Sequence, residues 1–264
     1  MKKFAKIIAI MCIGALLLML GAGCAKGSDS DLEYVKGKGK LIVGITDFAP
    51  MDYKDADGNW VGFDADLAKA FAEKLGVEAE FVEITWSQKA NELKTKNIDV
   101  VWNGMTITED VKAVMDCSNA YCKNAQVVVV PKDKAAQYQT VESLKDLRFA
   151  VEQGSAGEEM ATENNFATTP VDKQAKALME VSSGTCDAAI IDLLMAGAMI
   201  GEGTSYANLD ITVELNSEEY GIGFRKGSDL VKEINDFLVE AYEDGTITKL
   251  GETYGVAKNI IEQK

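Results

Sequence analysis

The stretch Ile98–Thr108 limits the possible folds of this chain more than any other segment. Its first half is mainly apolar and β-branched, which favours a buried strand. Its second half breaks into Asn103, Gly104 and Thr106, where the glycine lets a ligand approach the backbone closely. Open α/β sheets present ligands at strand ends of this kind. The alternative is a strand followed by an ordinary polar loop, because Gly and Thr are common there.

Strand-like and helix-like patterns alternate along the rest of the chain. The clearest helix, Ala65–Leu75, has one apolar face, with Asp64 as its expected cap and Gly76 at its end. The other predicted strands are 41–45, 80–84, 125–130, 148–151, 188–191, 211–215 and 220–225. This alternation predicts an α/β fold with mainly parallel strands.

The first 23 residues have the pattern of a secretion signal. Three lysines precede the apolar segment Ile7–Leu20, which is too short to cross a bilayer as a helix of ~20 residues. Small residues before Cys24 resemble a bacterial lipobox, so we expect a lipoprotein with palmitate or a similar lipid on Cys24. The alternative is plain secretion with a free thiol. Residues 24–40 are expected to form a tether.

Charge and composition exclude several classes of function. Cleavage removes three of 27 basic residues and none of 42 acidic ones, which leaves a net charge of about -18. This charge argues against nucleic-acid binding and against adsorption on anionic lipid, and it keeps a secreted protein soluble. The chain has no histidine. We therefore expect no Ser-His or Cys-His chemistry, no His-ligated metal and no cofactor.

Three cysteines follow those of the signal and lipobox, namely Cys117, Cys122 and Cys186. An odd number does not form a disulfide framework. Cys117 and Cys122 could pair if the chain turns back between them. The alternative is that they are small buried apolar side chains.

A series of motifs in a fixed order resembles a known family. The motifs are Phe48-Ala-Pro, Gly62-Phe-Asp-Ala-Asp66, Gly104-Met-Thr-Ile-Thr108, Asp187-Ala188, Asp192 and Tyr220-Gly-Ile-Gly-Phe-Arg225. Together they resemble the extracytoplasmic solute-binding proteins of polar amino-acid ABC importers, family 3 type. The resemblance runs from about Leu41 to Gly255.

The resemblance implies a type II periplasmic-binding-protein fold, in which two α/β lobes are joined by two hinge crossings. The crossings would fall near Val130 and Ser217. Residues 31–130 and 218–264 would then form lobe 1, and residues 131–217 lobe 2. The ligand would lie in the cleft between the lobes, which close on it by a hinge motion.

The resemblance also implies roles for lobe 1 residues. Phe48 and Trp86 would stack on the ligand, which favours an alkyl chain or a cation. The loop of Asn103, Gly104, Met105 and Thr106 would accept hydrogen bonds from the ligand's ammonium and donate to its carboxylate.

In lobe 2, Ser155 and Ala156 would supply N–H groups to the ligand's carboxylate. Asp192 would pair with its α-amino group. Asp47 is a further candidate pocket acid, although the turn before it is one residue shorter than in the family.

One departure from the family pattern changes the expected ligand chemistry. The family's carboxylate-binding arginine is replaced by Val111, and the only arginines, Arg148 and Arg225, lie outside the expected cleft. A lysine does not substitute for a bidentate guanidinium. The ligand is therefore either a cationic amine or amide, or an amino acid whose carboxylate is held by backbone N–H groups near Ser155.

Three classes of function remain open. The favoured one is a monomeric binding protein that is anchored to the outer face of the membrane by lipid alone and delivers an amino acid or amine to an ABC permease. The second is an enzyme on the same fold, such as a dehydratase, with Asp192 or Glu152 as the acid. The third is a ligand-sensing receptor domain.

Overall fold

A computed structural model describes residues 30–264, which form two α/β lobes. The predicted α/β class and two-lobed arrangement are confirmed. The predicted signal peptide and Cys24 lie outside the described residues. Within the described part of the chain, no helix is long and apolar enough to span a membrane, and no group of acidic or cysteine side chains could hold a metal ion.

Lobe 1 is built on a mixed sheet. Its strand order is β4 (Glu78–Glu83), β1 (Lys40–Ile45), β5 (Val100–Thr106), β13 (Glu218–Phe224) and β6 (Asp116–Cys117), with β7 (Cys122–Asn124) also paired to β13. The β1 strand is parallel to β4 and β5, and β13 runs antiparallel to β5. Its elements are α1 Asp31–Lys38, β1 Lys40–Ile45, β2 Tyr53–Lys54, β3 Trp60–Val61, α2 Phe63–Leu75, β4 Glu78–Glu83, α3 Lys89–Lys94, β5 Val100–Thr106, α4 Glu109–Val114, β6 Asp116–Cys117, β7 Cys122–Asn124, β13 Glu218–Phe224, α8 Leu230–Glu243 and α9 Thr246–Tyr254.

Lobe 2 contains a five-stranded sheet. Its strand order is β10 (Ala167–Val171), β9 (Arg148–Glu152), β11 (Ala188–Asp192), β8 (Gln126–Pro131) and β12 (Leu209–Glu214). The first three strands are parallel, and β8 is antiparallel to both of its neighbours. Its elements are β8 Gln126–Pro131, β9 Arg148–Glu152, α5 Ala156–Glu163, β10 Ala167–Val171, α6 Gln174–Ser182, β11 Ala188–Asp192, α7 Leu193–Met199 and β12 Leu209–Glu214.

The strand β8 belongs to lobe 2, so the predicted lobe boundary after residue 130 is wrong. Val128 pairs with Ile190 of β11, and Val129 with Ile211 of β12. An apolar run that is buried on both faces fits the centre of either sheet, so its sequence pattern does not assign it to a lobe. The first crossing lies at residues 124–126, and the second at residues 215–217, beside the expected Ser217.

Residues 31–38 form α1, so the expected tether does not extend through residue 40. Ser30 caps this helix by accepting a hydrogen bond from the Glu33 N–H. The Arg225 guanidinium binds both carboxylate oxygens of Asp31 through Nε, at 3.0 and 2.9 Å. This long-range ion pair ties α1 to β13, and the short charged helix carries too little apolar periodicity to be recognised from sequence.

The helix α2 begins at Phe63, two residues earlier than predicted, with Gly62 at the cap position. Asp64 is fully buried in its first turn, where it accepts hydrogen bonds from the Tyr121 hydroxyl and the Gly104 N–H. Asp64 therefore anchors the Gly104 loop to the lobe 1 core and does not cap the helix.

The two nearby cysteines, Cys117 and Cys122, are free thiols. Cys122 is buried and Cys117 half-buried, on the short strands β6 and β7. The disulfide alternative is therefore wrong for this structure.

Candidate ligand-binding cleft

A cleft between the lobes brings together nine of the ten predicted site residues. It is lined by Phe48, Trp86, Asn103, Gly104, Met105, Thr106, Ser155, Ala156 and Asp192. The tenth, Asp47, is exposed and does not line the cleft. Thr46 and Phe48, on either side of it, are buried, so the role of Asp47 as a pocket acid stays a prediction without support from this geometry.

The cleft is closed, because the two lobes touch across it. A Cβ atom added to Gly154 of lobe 2 would lie 2.8 Å from the Cα of Ser87 in lobe 1. The Lys89 ammonium donates to the Gly154 carbonyl oxygen at 2.9 Å. An exposed ion pair joins Lys173 of lobe 2 to Glu83 of lobe 1.

The Asn103 side chain is fully used within the protein. Its carbonyl oxygen accepts from the N–H and hydroxyl of Thr46, at 2.9 and 2.8 Å. Its NH₂ group donates to the Thr46 carbonyl and the Asp52 carboxylate, at 3.0 and 2.7 Å. An amide offers two donors and two acceptor sites, so none remains for a ligand. Asn103 thus positions the loop in this structure, and its predicted hydrogen bond to a ligand stays a prediction that would require one of these internal bonds to break.

The Gly104 backbone is pressed against aromatic rings in a conformation that favours glycine. Its φ is +56°, and an added Cβ would lie 2.5 Å from Phe48 Cε1 and 3.1 Å from Tyr220 Cε2. Its N–H donates to Asp64 at 2.6 Å. The backbone at Gly104 therefore gives the cleft a close surface, while the Met105 side chain packs into the lobe 1 core.

We expect Gly104→Ala to lower the free energy of unfolding by about 1–3 kcal/mol, because the methyl group forces Phe48 to move. Gly58→Ala is the matched control. Gly58 has a φ of +85° but no atom within 4 Å of its added Cβ, so it tests the backbone conformation alone. Thermal unfolding of both variants measures the difference, and equal destabilisation would contradict a packing effect at Gly104.

Asp192 lies at the end of β11, beside a second carboxylate. It accepts hydrogen bonds from Gln126 Nε2 and the Tyr220 hydroxyl, each at 2.9 Å. Glu218 shares two of its donors, because Asn124 and Gln126 bind both carboxylates. Burial and the negative charge of Glu218 raise the pKa of Asp192 to about 8. A cation placed here would relieve the repulsion between the two carboxylates.

Glu152 is a third buried carboxylate of the cleft. Burial and the charge of Asp192 raise its pKa to about 8. Within residues 30–264, its Oε1 atom is buried without a hydrogen-bond partner. Such an atom is costly to leave unsatisfied, so Glu152 is suited to accept from a bound ligand.

The loop before α5 retains part of its anion-binding geometry. Ser155 caps the helix by accepting from the Glu158 N–H at 3.2 Å, and Ala156 is its first residue. The first N–H groups of a helix have no carbonyl partner within it. Two nearby donors are already used. The Gly154 N–H binds the Glu158 carboxylate at 2.8 Å, and the Ser155 N–H binds the Glu152 carbonyl oxygen at 3.2 Å.

Sequence reasoning missed several residues that line the cleft: Thr46, Lys89, Thr108, Gly154, Glu159 and Gln174. Lys89 is the important omission, because it is the cation among the described residues that line the cleft. Lys89 follows Trp86 by three residues, at the start of α3. Side chains three residues apart lie on the same face of a helix. Val111 lines the cleft in an apolar cluster with Trp86, as its position in the motif predicts.

Comparison with known proteins places these features in a family context. The sequence model of the family described as bacterial extracellular solute-binding proteins, family 3, matches residues 41–257. The arginine-binding extracellular protein ArtP of Bacillus subtilis (strain 168) is 35% identical over 264 residues, which cover 95% of this chain and 96% of ArtP.

Two similar solved structures support the same assignment. The P235GK mutant of ArgBP from T. maritima has a TM-score of 0.80 and 37% identity, over 85% of this chain and 99% of that one. The ancestral amino acid-binding protein AncCDT-1, a precursor of cyclohexadienyl dehydratase, has a TM-score of 0.78 and 35% identity, also over 85% and 99%.

Proposed function

Because the chain belongs to the bacterial extracellular solute-binding proteins of family 3, we propose that it binds a cationic amino acid in the interlobe cleft and delivers it to an ABC importer. The observation that carries the choice of ligand is Glu152 Oε1, a buried acceptor without a partner among residues 30–264. The names of ArtP and of arginine-bound ArgBP are consistent with such a ligand.

The charge of the cleft supports a ligand with net positive charge. Asp192, Glu152 and Glu159 line it, against Lys89 as the opposing charge among the described residues. Because burial raises the pKa of Asp192 and Glu152 to about 8, both carboxyls hold protons at neutral pH until a nearby cation favours their ionised forms. A basic amino acid supplies two such cations, whereas a neutral zwitterion supplies only its α-ammonium group. Burying an unbalanced charge is unfavourable, so closure of the lobes favours the cation.

Each end of the ligand has candidate partners. Asp192 takes the α-ammonium group, and Glu152 takes a second positive group. Phe48 and Trp86 flank the alkyl part of the side chain. The Ala156 N–H group and the Ser155 hydroxyl donate to the carboxylate, and the Gly104 carbonyl accepts from the ammonium.

We also propose that the protein works outside the cytoplasm, tethered by lipid on Cys24 after removal of residues 1–23. This part of the proposal comes from the sequence pattern and agrees with the extracellular description of the family. Mass spectrometry of Cys24 in membrane fractions tests it. A mature N-terminus elsewhere, or an unmodified thiol, would contradict it.

Thermal unfolding of the protein lacking residues 1–24 tests the ligand class. The panel is L-arginine, L-lysine, L-histidine, L-glutamine, L-cystine and L-glutamate. At a concentration of one hundred times its dissociation constant, a ligand stabilises the fold by about 2.7 kcal/mol. We expect the basic amino acids to raise the midpoint most and L-glutamate to leave it unchanged. A larger shift with L-glutamine or L-glutamate would contradict the proposed class.

The same samples separate binding from catalysis. Recovery of the added amino acid unchanged, by mass spectrometry after prolonged incubation, supports a transport role. Turnover of any panel member would favour the enzyme alternative, for which AncCDT-1 is the relevant neighbour.

A further inference from the structure

We propose that Lys89 supplies the positive charge that binds the ligand's carboxylate, in place of the arginine that Val111 replaces. This inference rests on the proposed function. It assigns to the carboxylate a side-chain partner on α3, whereas the family places that partner at the start of α4.

The position of Lys89 is the first argument. Its ammonium lies 2.9 Å from the Gly154 carbonyl oxygen and 4.6 Å from the centroid of the Trp86 ring. Gly154 lies two residues before Ala156, whose N–H group at the start of α5 is the backbone candidate for the carboxylate. Lys89 therefore brings its charge from lobe 1 to the anion-binding end of the lobe 2 helix.

The unused hydrogen-bonding capacity of Lys89 is the second argument. An ammonium has three donors. Within the described residues it has one acceptor, the Gly154 carbonyl, and no carboxylate within 4 Å. Burial lowers the pKa of Lys89 to about 8, against the attraction of Glu152, Glu159 and Glu158. Two of its donors have no acceptor among residues 30–264, so the Lys89 ammonium is able to donate to a ligand carboxylate.

The environment of Val111 is the third argument. Its side chain packs in the same apolar cluster as Trp86, the residue whose ring lies beneath the Lys89 ammonium. The position that carries the family's arginine is thus filled by an apolar group, while the Lys89 ammonium lies over the Trp86 ring. An ammonium gives a point charge and not a bidentate fork, so the carboxylate keeps its backbone donors as well.

The test compares ligands with and without a carboxylate. Lys89→Met is titrated by calorimetry with L-arginine and with agmatine, its decarboxylated analogue; L-histidine and histamine form a second pair. We expect affinity for the amino acids to fall on the order of 10- to 100-fold, as for loss of a charge-assisted hydrogen bond. Affinity for the amines should stay within about threefold or rise.

Two controls keep the result interpretable. Lys94→Met removes an exposed charge from the same helix and should leave every affinity unchanged. Lys89→Gln is a second neutral variant of the same residue. Thermal unfolding of all variants shows whether the fold is retained. An equal loss for acids and amines would overturn the inference and make Lys89 a latch between the lobes. Failure of the wild-type protein to bind either amino acid would overturn the proposed function itself.

Discussion

Replacement of Asp192 by asparagine is expected to lower the affinity for L-arginine by on the order of 100-fold or more. The substitution keeps the shape of the side chain but removes the carboxylate that we propose as the partner of the ligand's ammonium, whose binding would favour the ionised form of Asp192. Breaking one partner of such a hydrogen-bonded charge pair costs several kcal/mol, because the other charge is left unpaired. Calorimetric titration at pH 7 measures the effect.

The control is Asp133→Asn, which removes an exposed carboxylate from the same lobe and should leave the affinity unchanged. Unfolding of ligand-free Asp192→Asn should remain close to that of the wild-type protein, because an amide reproduces the neutral form that the raised pKa favours. An affinity within threefold of the wild-type value would show that Asp192 is not the ammonium partner.

The free energy of unfolding is expected to fall as the pH rises from about 4 to 8. Burial raises the pKa of Asp64 to about 7, and burial with the Asp64 charge raises the pKa of Asp52 well above its usual range. Over this interval the unfolded chain has released these protons and the folded chain still holds them. Stability is therefore present at low pH and lost as the pH approaches the folded pKa, at about 1.4 kcal/mol per unit for each proton.

Asp52→Asn should remove the contribution of about one proton from the pH dependence of the free energy of unfolding. It should also stabilise the protein at pH 8. The amide can still accept from Asn103, and its NH₂ group replaces Oδ1, which has no partner among residues 30–264. Urea unfolding at several pH values tests this, with the exposed Asp57→Asn as the control. Because the sequence contains no histidine, the interval between pH 5 and 8 reports mainly on shifted carboxyls. A stability that rises with pH in both proteins would contradict the prediction.

Local patterns in the sequence predicted most of the fold and the lobe 1 strand that lines the cleft. The strand ending at Asn103-Gly104 could be recognised because burial and a positive-φ glycine both leave a signature in residue type. The helix end at Gly76 was predicted for the same reason, and the structure places Gly76 in the left-handed conformation.

Features that depend on partners distant in the chain could not be predicted. The strand β8 has the same apolar character whichever sheet it joins, and α1 depends on the ion pair between Asp31 and Arg225. The edge strand β10 contains Pro170 and has an exposed, polar sequence, so periodicity did not identify it.

The residue roles show the same limit. Asn103 was predicted to contact a ligand because an amide at a strand end suits that role, but its four hydrogen bonds are all internal. Lys89 was overlooked because a lysine at the start of a helix is usually solvated. Only the approach of lobe 2 gives it a buried environment.

The internal saturation of the Asn103–Gly104 loop has a kinetic consequence. With its amide and N–H groups bound to Thr46, Asp52 and Asp64, lobe 1 presents a surface that needs no rearrangement before encounter. We expect a ligand that enters once the cleft has opened to bind lobe 1 first, so that substitutions on this preformed surface change the association rate. The partners contributed by lobe 2 act after closure, so substitutions there should change how long the ligand stays and not how quickly it arrives.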